Sequence, residues 1–209
     1  MTTLQKLAHF QNRRDEIPNQ ELARELAASK NSPAIREIAE NLWSKDRDIQ
    51  ADCIKVLYEI GYLDPALIAD YAEDFIKLLK SRNNRLVWGG MIALATVAEL
   101  KAGIIFTHLV EIQKAMETGS VITVDNGVLA LARAASKDAE YNAVIFPYLL
   151  SHLKTCRPKD LAQHAEKTLP AANAGNRAGF VAALEKRMED VSGSGLSRLK
   201  RVIKQASSR

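Results

Sequence analysis

The sequence repeats itself with a period of 37 residues, and this period limits the possible folds more than any other feature. Apolar residues recur at that step along three tracks: Leu42, Leu79, Met116 and Leu153; Ile38, Phe75, Ile112 and Leu149; and Ile35, Ala72, Leu109 and Phe146. A fourth track advances by 37, 37 and 38 residues through Leu57, Leu94, Leu131 and Leu169. A fixed period of this length indicates stacked repeats, because each unit buries its apolar face only against its neighbours.

Each repeat contains the signals of two helices joined by a short turn. Within a unit the first three tracks are spaced as the apolar stripe of an amphipathic helix. The turn that follows is marked at the same step by Ser44, Ser81, Thr118 and Thr155, and then by Asp46, Asn83, Ser120 and Pro158. Asp, Asn and Ser accept hydrogen bonds from the amides of a first helical turn, and Pro suits its first position. We therefore predict that the second helix of each repeat begins at this last set.

Extending the period outwards accounts for nearly the whole chain. We predict an all-α fold, an α-α superhelix of about twelve helices in six antiparallel pairs, as one domain over residues 1–209. In this interpretation residues 1–31 form N-terminal capping helices, 32–191 form the repeats, and 192–209 form a short basic C-terminal helix.

Two adjacent glycines, Gly89 and Gly90, interrupt an otherwise helical segment beside Trp88. A glycine inside a helix costs about 1 kcal/mol relative to alanine, so each needs a reason. Gly90 belongs to a repeat track of small residues, Cys53, Gly90, Gly127 and Ala165. Small residues let neighbouring backbones approach closely, which predicts a packing role for Gly90. At Gly89 we expect the missing side chain to leave room beside Trp88.

In repeat length, two helices per unit and leucine tracks, residues 32–191 resemble the HEAT-repeat family. A HEAT unit usually carries Asp in the turn and Arg a few residues into the second helix. Here the turn has Asp46, Asn83 and Ser120, but the arginine track holds Asp52, Gly89, Asn126 and His164. The chain thus resembles a divergent member of the family.

The resemblance implies that the second helices line a concave surface. It would place Trp88, Asp125 and Gln163 from one track, and Asn126 and His164 from the next, along an inner groove. Three of these residues also have a purely structural interpretation. Trp88 would be packed between repeats, Asp125 would cap its helix, and His164 would lie on the surface.

Basic residues recur near the starts of the second helices. Lys45, Arg82 and Arg157 are equivalent in the repeat, and Arg47, Arg85 and Lys159 lie nearby. Such a row is able to contact phosphates along a nucleic-acid backbone. Acidic residues interleave with it at Asp46, Asp48 and Asp160, which favours an ordinary solvated rim. The C-terminal segment is more one-sided and carries Arg198, Lys200, Arg201, Lys204 and Arg209.

The sequence contains no motif that identifies a reaction. It lacks the signatures of a nucleophilic hydrolase, a zinc protease or a phosphate-binding loop, and Cys53 and Cys156 belong to no CxxC or Cys/His spacing. We therefore predict no catalytic residues, no cofactor and no metal. The opening segment MTTLQKLAHFQNRRDE has no apolar core of a signal peptide, and no apolar run is long enough for a membrane span. We expect a cytoplasmic protein without a membrane partner.

These observations predict a non-enzymatic scaffold that binds a protein or peptide through its concave face. The net charge of +4 permits a polyanionic partner but does not require one, so nucleic-acid binding is the alternative. Within that alternative, the chain bears a weaker resemblance to the HEAT-like DNA glycosylases of alkylation repair. That resemblance implies that Trp88 contacts a damaged nucleotide while Asp125 stabilises the cationic sugar. The glycosylases present several aromatic residues along the groove, whereas the equivalent tracks here offer one.

Overall fold

A computed structural model describes residues 2–208, which form twelve α-helices joined by turns and seven short 3-10 segments, with no strand. The helices are α1 (Ile17–Ser29), α2 (Ser32–Glu40), α3 (Arg47–Leu63), α4 (Ala72–Leu78), α5 (Asn84–Val97), α6 (Ala102–Thr107), α7 (Leu109–Thr118), α8 (Val121–Ala135), α9 (Ala139–Thr155), α10 (Pro158–Thr168), α11 (Arg177–Glu185) and α12 (Gly193–Ser207). The all-α prediction is confirmed. Within residues 2–208, every helix is too short or too polar to cross a bilayer.

The second helices of the four repeats begin where the sequence predicts. The Asp46 carboxylate accepts hydrogen bonds from two amides in the first turn of α3, at 2.8 and 3.3 Å. Asn83 caps α5 in the same way, because its side-chain oxygen accepts from the N–H of Arg85 at 3.1 Å. The helices α8 and α10 begin at Val121 and Pro158, at the predicted positions. The local capping chemistry therefore recurs with the period of the repeat.

The first helices are less regular than the second ones. In the second repeat, 3-10 turns at Pro65–Leu67 and Ala69–Tyr71 precede a short α4, and in the third repeat His108 separates α6 from α7. The N-terminal segment forms 3-10 turns at Leu4–Lys6 and His9–Gln11, where the sequence predicts a capping helix. Asn12 ends the second of these turns in the left-handed conformation, with a φ of 52°, so the chain changes direction there.

The apolar tracks form the hydrophobic core. Every residue of the four 37-residue tracks is at least 90% buried except Leu109, which is half-buried. The track of small residues is buried as well, with Cys53 and Ala165 fully inaccessible to solvent. The period thus identifies the residues whose burial stabilises the fold.

The described helices form two compact units, with the boundary inside α8 between Gly127 and Val128. In the first unit, α3 packs against α1 and α5, and α5 also packs against α4. In the second unit, α12 packs against α10 and α11, and α9 contacts the same two helices.

The two glycines of α5 face two different helices. A Cβ on Gly90 would lie 3.1 Å from both Leu78 Cβ and the carbonyl oxygen of Phe75 in α4, which supports the predicted packing role. A Cβ on Gly89 would lie 2.7 Å from Ile54 Cγ1 in α3. Gly89 is buried, so its missing side chain admits Ile54 instead of opening space in a groove.

Candidate functional site

A cleft of about 670 Å³ lies in the first unit between the N-terminal segment, α3 and α5. We call it the N-terminal cleft. Residues between positions 8 and 19 form one side. The other sides are formed by Asp48, Ala51, Asp52 and Lys55 of α3 and by Arg85 and Trp88 of α5.

Asp52 of α3 forms hydrogen bonds to the N-terminal part of the chain. Its carboxylate accepts a hydrogen bond from the backbone N–H of His9 and another from Nδ2 of Asn19, both at 2.8 Å. The side-chain oxygen of Asn19, which is 1% exposed, accepts from the N–H of Ala8 at 3.0 Å. Asp52 occupies the repeat position where a HEAT unit usually has arginine. An acceptor suits this position because the two partners of Asp52 are N–H donors, which an arginine could not accept from.

Lys55 links the N-terminal segment to α3 through a second set of contacts. Its ammonium lies 2.7 Å from carboxylates of Glu16 and Glu59 and 4.9 Å from the ring centroid of Tyr58. Burial disfavours the ammonium, but the hydrogen bonds to the two glutamates outweigh it and raise the pKa of Lys55. Burial also raises the pKa of Tyr58 to about 12, so this hydroxyl stays protonated at neutral pH.

Trp88 is half-buried and lines the cleft, with its ring centroid 6.1 Å from that of Tyr58 at an interplanar angle of 55°. The two sequence interpretations of Trp88 therefore each describe part of its surroundings, since it packs against a neighbouring helix and also faces the cleft. Arg85 is exposed and lies three residues earlier on α5. This spacing puts the guanidinium and the indole on one face of the helix.

The lining of the cleft carries equal numbers of opposite charges, four basic and four acidic: Arg13, Arg14, Lys55 and Arg85, and Asp15, Glu16, Asp48 and Asp52. Most of these charges already have partners. Arg13 lies 2.9 Å from Asp15, and its hydrogen bond lowers the pKa of that carboxyl. Across residues 2–208, no ion pair is made by Arg14, Arg85 or Asp48. Two cations and one carboxylate thus remain available to a ligand.

The other predicted groove residues of the first unit lie outside this cleft. Arg82 is exposed in the turn before α5. Asp125 and Asn126 are half-buried on α8, and the Asn126 amide donates to the carbonyl oxygen of Ile122 at 2.9 Å. Of the predicted site residues, the structure therefore brings Trp88 and Arg85 together in one cleft.

The predicted residues of the second unit lie on α10. Gln163 is half-buried, whereas His164 is only 2% exposed. The surface position expected for His164 is wrong, because this face of α10 packs against α9 and brings Nδ1 of His164 to 2.9 Å from Nε2 of His152.

Cys156 lies beside the same two histidines, within 4.8 Å of their ligand atoms. The sequence assigns this cysteine to no Cys/His spacing, whereas the structure places it beside two histidines. The cluster joins two helices, so no short motif contains it. The four-residue step from His152 to Cys156 is the one local signal of it, because that step places both side chains on one helix face.

Several basic residues outside the cleft have acidic partners. Arg157 pairs with Asp160 at 2.6 Å, and Glu166 of α10 accepts hydrogen bonds from both Arg198 and Arg201 of α12. Of the basic residues near the helix starts, Arg157 therefore has a local acidic partner, whereas Arg198 and Arg201 of the C-terminal segment pair with α10. Arg209 lies outside the described residues.

Comparisons with known proteins show the fold. No known protein family and no curated protein matches the sequence. The crystal structure of an engineered protein is similar over 100% of this chain and 98% of its own, with a TM-score of 0.64 and 20% identity. A designed armadillo repeat protein in complex with the peptide (KR)4 is similar over 98% and 97%, with a TM-score of 0.67 and 16% identity. A mutant of Kap121p is similar over 96% of this chain and 22% of its own, with a TM-score of 0.64 and 15% identity.

Proposed function

From its helical repeat fold of the armadillo and HEAT type, we propose that this chain is a non-enzymatic scaffold that binds a peptide segment of a partner protein in the N-terminal cleft. One observation carries the proposal. The cleft of about 670 Å³ presents a half-buried indole and an exposed guanidinium, those of Trp88 and Arg85, on one helix face. Tryptophan and arginine are enriched among the residues that dominate binding energy at protein interfaces. Folds of this kind commonly bind their partners on an extended concave surface.

The charges of the cleft favour an acidic peptide with an apolar side chain. Among the residues that line the cleft, the cations Arg14 and Arg85 make no ion pair within residues 2–208. The lining carboxylates of Asp48 and Asp52 make none either, but Asp52 already accepts two hydrogen bonds, from His9 and Asn19. An acidic residue of the peptide would pair with a guanidinium, while an aromatic or aliphatic side chain would pack on Trp88. The designed armadillo protein holds a basic peptide, so we expect the two proteins to differ in the charge they select.

A nucleic-acid partner fits this cleft less well. A nucleic-acid backbone would bring a row of phosphates against a lining whose four carboxylates balance its four cations, whereas a peptide needs only one or two acidic residues to pair with Arg14 and Arg85. A glycosylase would also need Asp125 beside Trp88, and Asp125 does not line the cleft. The geometry therefore supports a peptide ligand over the glycosylase alternative.

A displayed library of random peptides, selected on the full chain, tests the proposal. We expect selected peptides to share acidic residues flanking an aromatic or aliphatic one. Their affinity should fall at least about tenfold in Trp88→Ala and in Arg85→Glu, since each removes an anchor in the cleft. Arg85 is exposed, so its substitution reports on binding without disturbing the core.

Two variants outside the cleft are the matched controls. Trp43 is 52% exposed after α2, and Lys45 is an exposed cation in the following turn. Trp43→Ala and Lys45→Glu should bind the selected peptides like the original protein. If the peptides bind Arg85→Glu and Trp88→Ala undiminished, the cleft is not the binding site. If no peptide is enriched above background, the scaffold proposal itself fails.

A further inference from the structure

Three side chains with metal-binding chemistry meet where α9 is followed by α10 in the second unit. His152 and Cys156 are one turn apart at the C-terminal end of α9, and His164 faces them from α10. Nε2 of His152 lies 2.9 Å from Nδ1 of His164. One ligand atom from each residue, including Sγ of Cys156, lies within 4.8 Å of the other two.

These separations suit a tetrahedral metal ion. Zinc binds imidazole nitrogen at about 2.0–2.1 Å and thiolate sulfur at about 2.3 Å, so two ligand atoms at tetrahedral positions are about 3.3–3.8 Å apart. The two nitrogens, which are 2.9 Å apart, are slightly closer than this. The distances from Sγ of Cys156 to the histidine ligand atoms are at most 4.8 Å. Small rotations of the half-buried His152 and Cys156 side chains would bring all three atoms to these distances.

We propose that His152, Cys156 and His164 bind one Zn²⁺ ion. Two imidazoles and one thiolate are ligands that zinc prefers, and they leave the fourth position to water. On binding, the thiol proton passes to solvent. The ring that donates the hydrogen bond between the histidines carries its proton on the facing nitrogen. On metal binding that proton moves to the other nitrogen of the same ring by exchange, so both ligating nitrogens offer a lone pair.

The surroundings hold the end of α9 in place for this role. Nη1 of Arg187 donates to the carbonyl oxygens of Leu153 and Cys156 at 2.9 and 2.8 Å, and lies 3.6 Å from Sγ of Cys156. The guanidinium favours the thiolate but repels a cation. Asp190 offsets that repulsion in part, because its carboxylate lies 2.6 Å from Nε of Arg187.

A second cluster, at His9, Asp46 and Asp48 in the first unit, is a weaker candidate and serves as a control. Its two carboxylates are exposed. The Asp46 carboxylate also accepts hydrogen bonds from two amides of α3, which a metal ion would have to share. The two clusters differ in a measurable way, since only the first supplies a sulfur ligand.

Titration of the full chain with Co²⁺, followed by displacement with Zn²⁺, tests the proposal. Cobalt replaces zinc in such sites, and a thiolate ligand gives it a charge-transfer band in the near ultraviolet. We expect this band to saturate at one equivalent and to disappear when Zn²⁺ is added. Cys156→Ser should abolish the band. His152→Gln should weaken the affinity for Co²⁺ by more than about 100-fold, because loss of a residue that only contacts a ligand costs roughly 10–100-fold.

Cys53→Ala and His9→Gln are the matched controls, and both should keep the band and the affinity, because neither residue belongs to the cluster. His152 and Cys156 are half-buried, so both test variants are expected to fold, which circular dichroism verifies. Absence of the band in the original protein, or its persistence in Cys156→Ser, would overturn the proposal. Full affinity in His152→Gln would overturn the three-residue site as well. None of these outcomes depends on peptide binding in the first unit.

Discussion

At the scale of single residues, Gly89 and Gly90 set how closely α5 approaches its neighbours. The two positions are adjacent on the helix, so they point in directions about 100° apart and face different helices. Gly89 faces Ile54 of α3, and Gly90 faces Phe75 and Leu78 of α4. At either position, a larger residue would place its Cβ within 3.1 Å of an atom of the neighbouring helix. The close packing that glycine allows therefore offsets its lower helix propensity.

Replacing Gly89 with alanine should destabilise the protein. The added methyl would lie 2.7 Å from Cγ1 of Ile54, a β-branched side chain that is 1% exposed and has little room to move. Overpacking of this kind costs about 1–3 kcal/mol, which exceeds the gain of about 1 kcal/mol in helix propensity. Urea unfolding measures the difference.

Gly179→Ala in α11 is the matched control for this substitution. The nearest atom to a Cβ at that position is Leu150 Cδ2 at 3.9 Å, an ordinary contact. The gain in helix propensity should therefore appear there as unchanged or slightly raised stability. Equal stability of Gly89→Ala and the original protein would show that α3 and α5 separate without cost.

At the scale of helices, α12 is attached to α10 by apolar packing and by one carboxylate shared between two arginines. Leu199 and Val202 of α12 are fully buried. Glu166 of α10 accepts hydrogen bonds from Arg198 and Arg201, both at 3.0 Å at its Oε1 atom. The hydrogen bond from Arg198 contributes most to lowering the pKa of Glu166.

This lowered pKa predicts how the contact depends on pH. A carboxylate with a lower pKa in the folded state stabilises the protein above its unfolded pKa of about 4.3, and this contribution is lost as pH falls through the folded value. The melting temperature of Glu166→Gln should therefore lie slightly below that of the original protein near neutral pH, with the difference shrinking as pH falls below about 4. Partly exposed ion pairs contribute about 0–1 kcal/mol, so the difference should be at most a few degrees.

Thermal unfolding by circular dichroism across this pH range measures the effect. Glu185→Gln, at the exposed C-terminal end of α11, is the control, and it should follow the original protein at every pH. A difference between Glu166→Gln and the original protein that stays constant with pH would show that the carboxylate charge is not what attaches α12.

At the scale of the whole molecule, charge is distributed in compensating pairs. The chain has 29 Lys and Arg against 25 Asp and Glu residues. Local ion pairs such as Arg13–Asp15 and Arg157–Asp160 neutralise part of the positive charge. A net charge of +4 on a chain of 209 residues is small, so it produces only a weak field for a polyanion.

We therefore expect the protein to bind duplex DNA only weakly. At physiological salt the dissociation constant should be no tighter than the roughly 10⁻⁴–10⁻⁶ M of non-specific binding. Fluorescence anisotropy of a labelled duplex, with and without alkylated bases, measures it. Arg82→Glu combined with Arg85→Glu should change this value little. Binding with a dissociation constant well below about 10⁻⁶ M that is lost in the double variant would instead favour the nucleic-acid alternative.

The sequence by itself determined the helices and the core. Helix starts at Asp46 and Asn83 depend on side chains that bond to amides two or three residues away. Burial of the leucine tracks follows from spacing within one helix and from the repeat of 37 residues. Both signals are local or periodic, so they are visible without a structure.

Only the tertiary structure decided which polar residues meet. Asp52 reaches His9 across 43 positions of the chain, and His164 is buried because α10 turns it towards His152 of α9. Trp88 shares a cleft with Arg85 but not with Asp125, although the repeat tracks grouped it with Asp125. Such contacts depend on how helices rotate and pack, and no local period specifies that geometry. The core was therefore predictable from pattern, whereas the peptide cleft and the metal cluster required the packed helices.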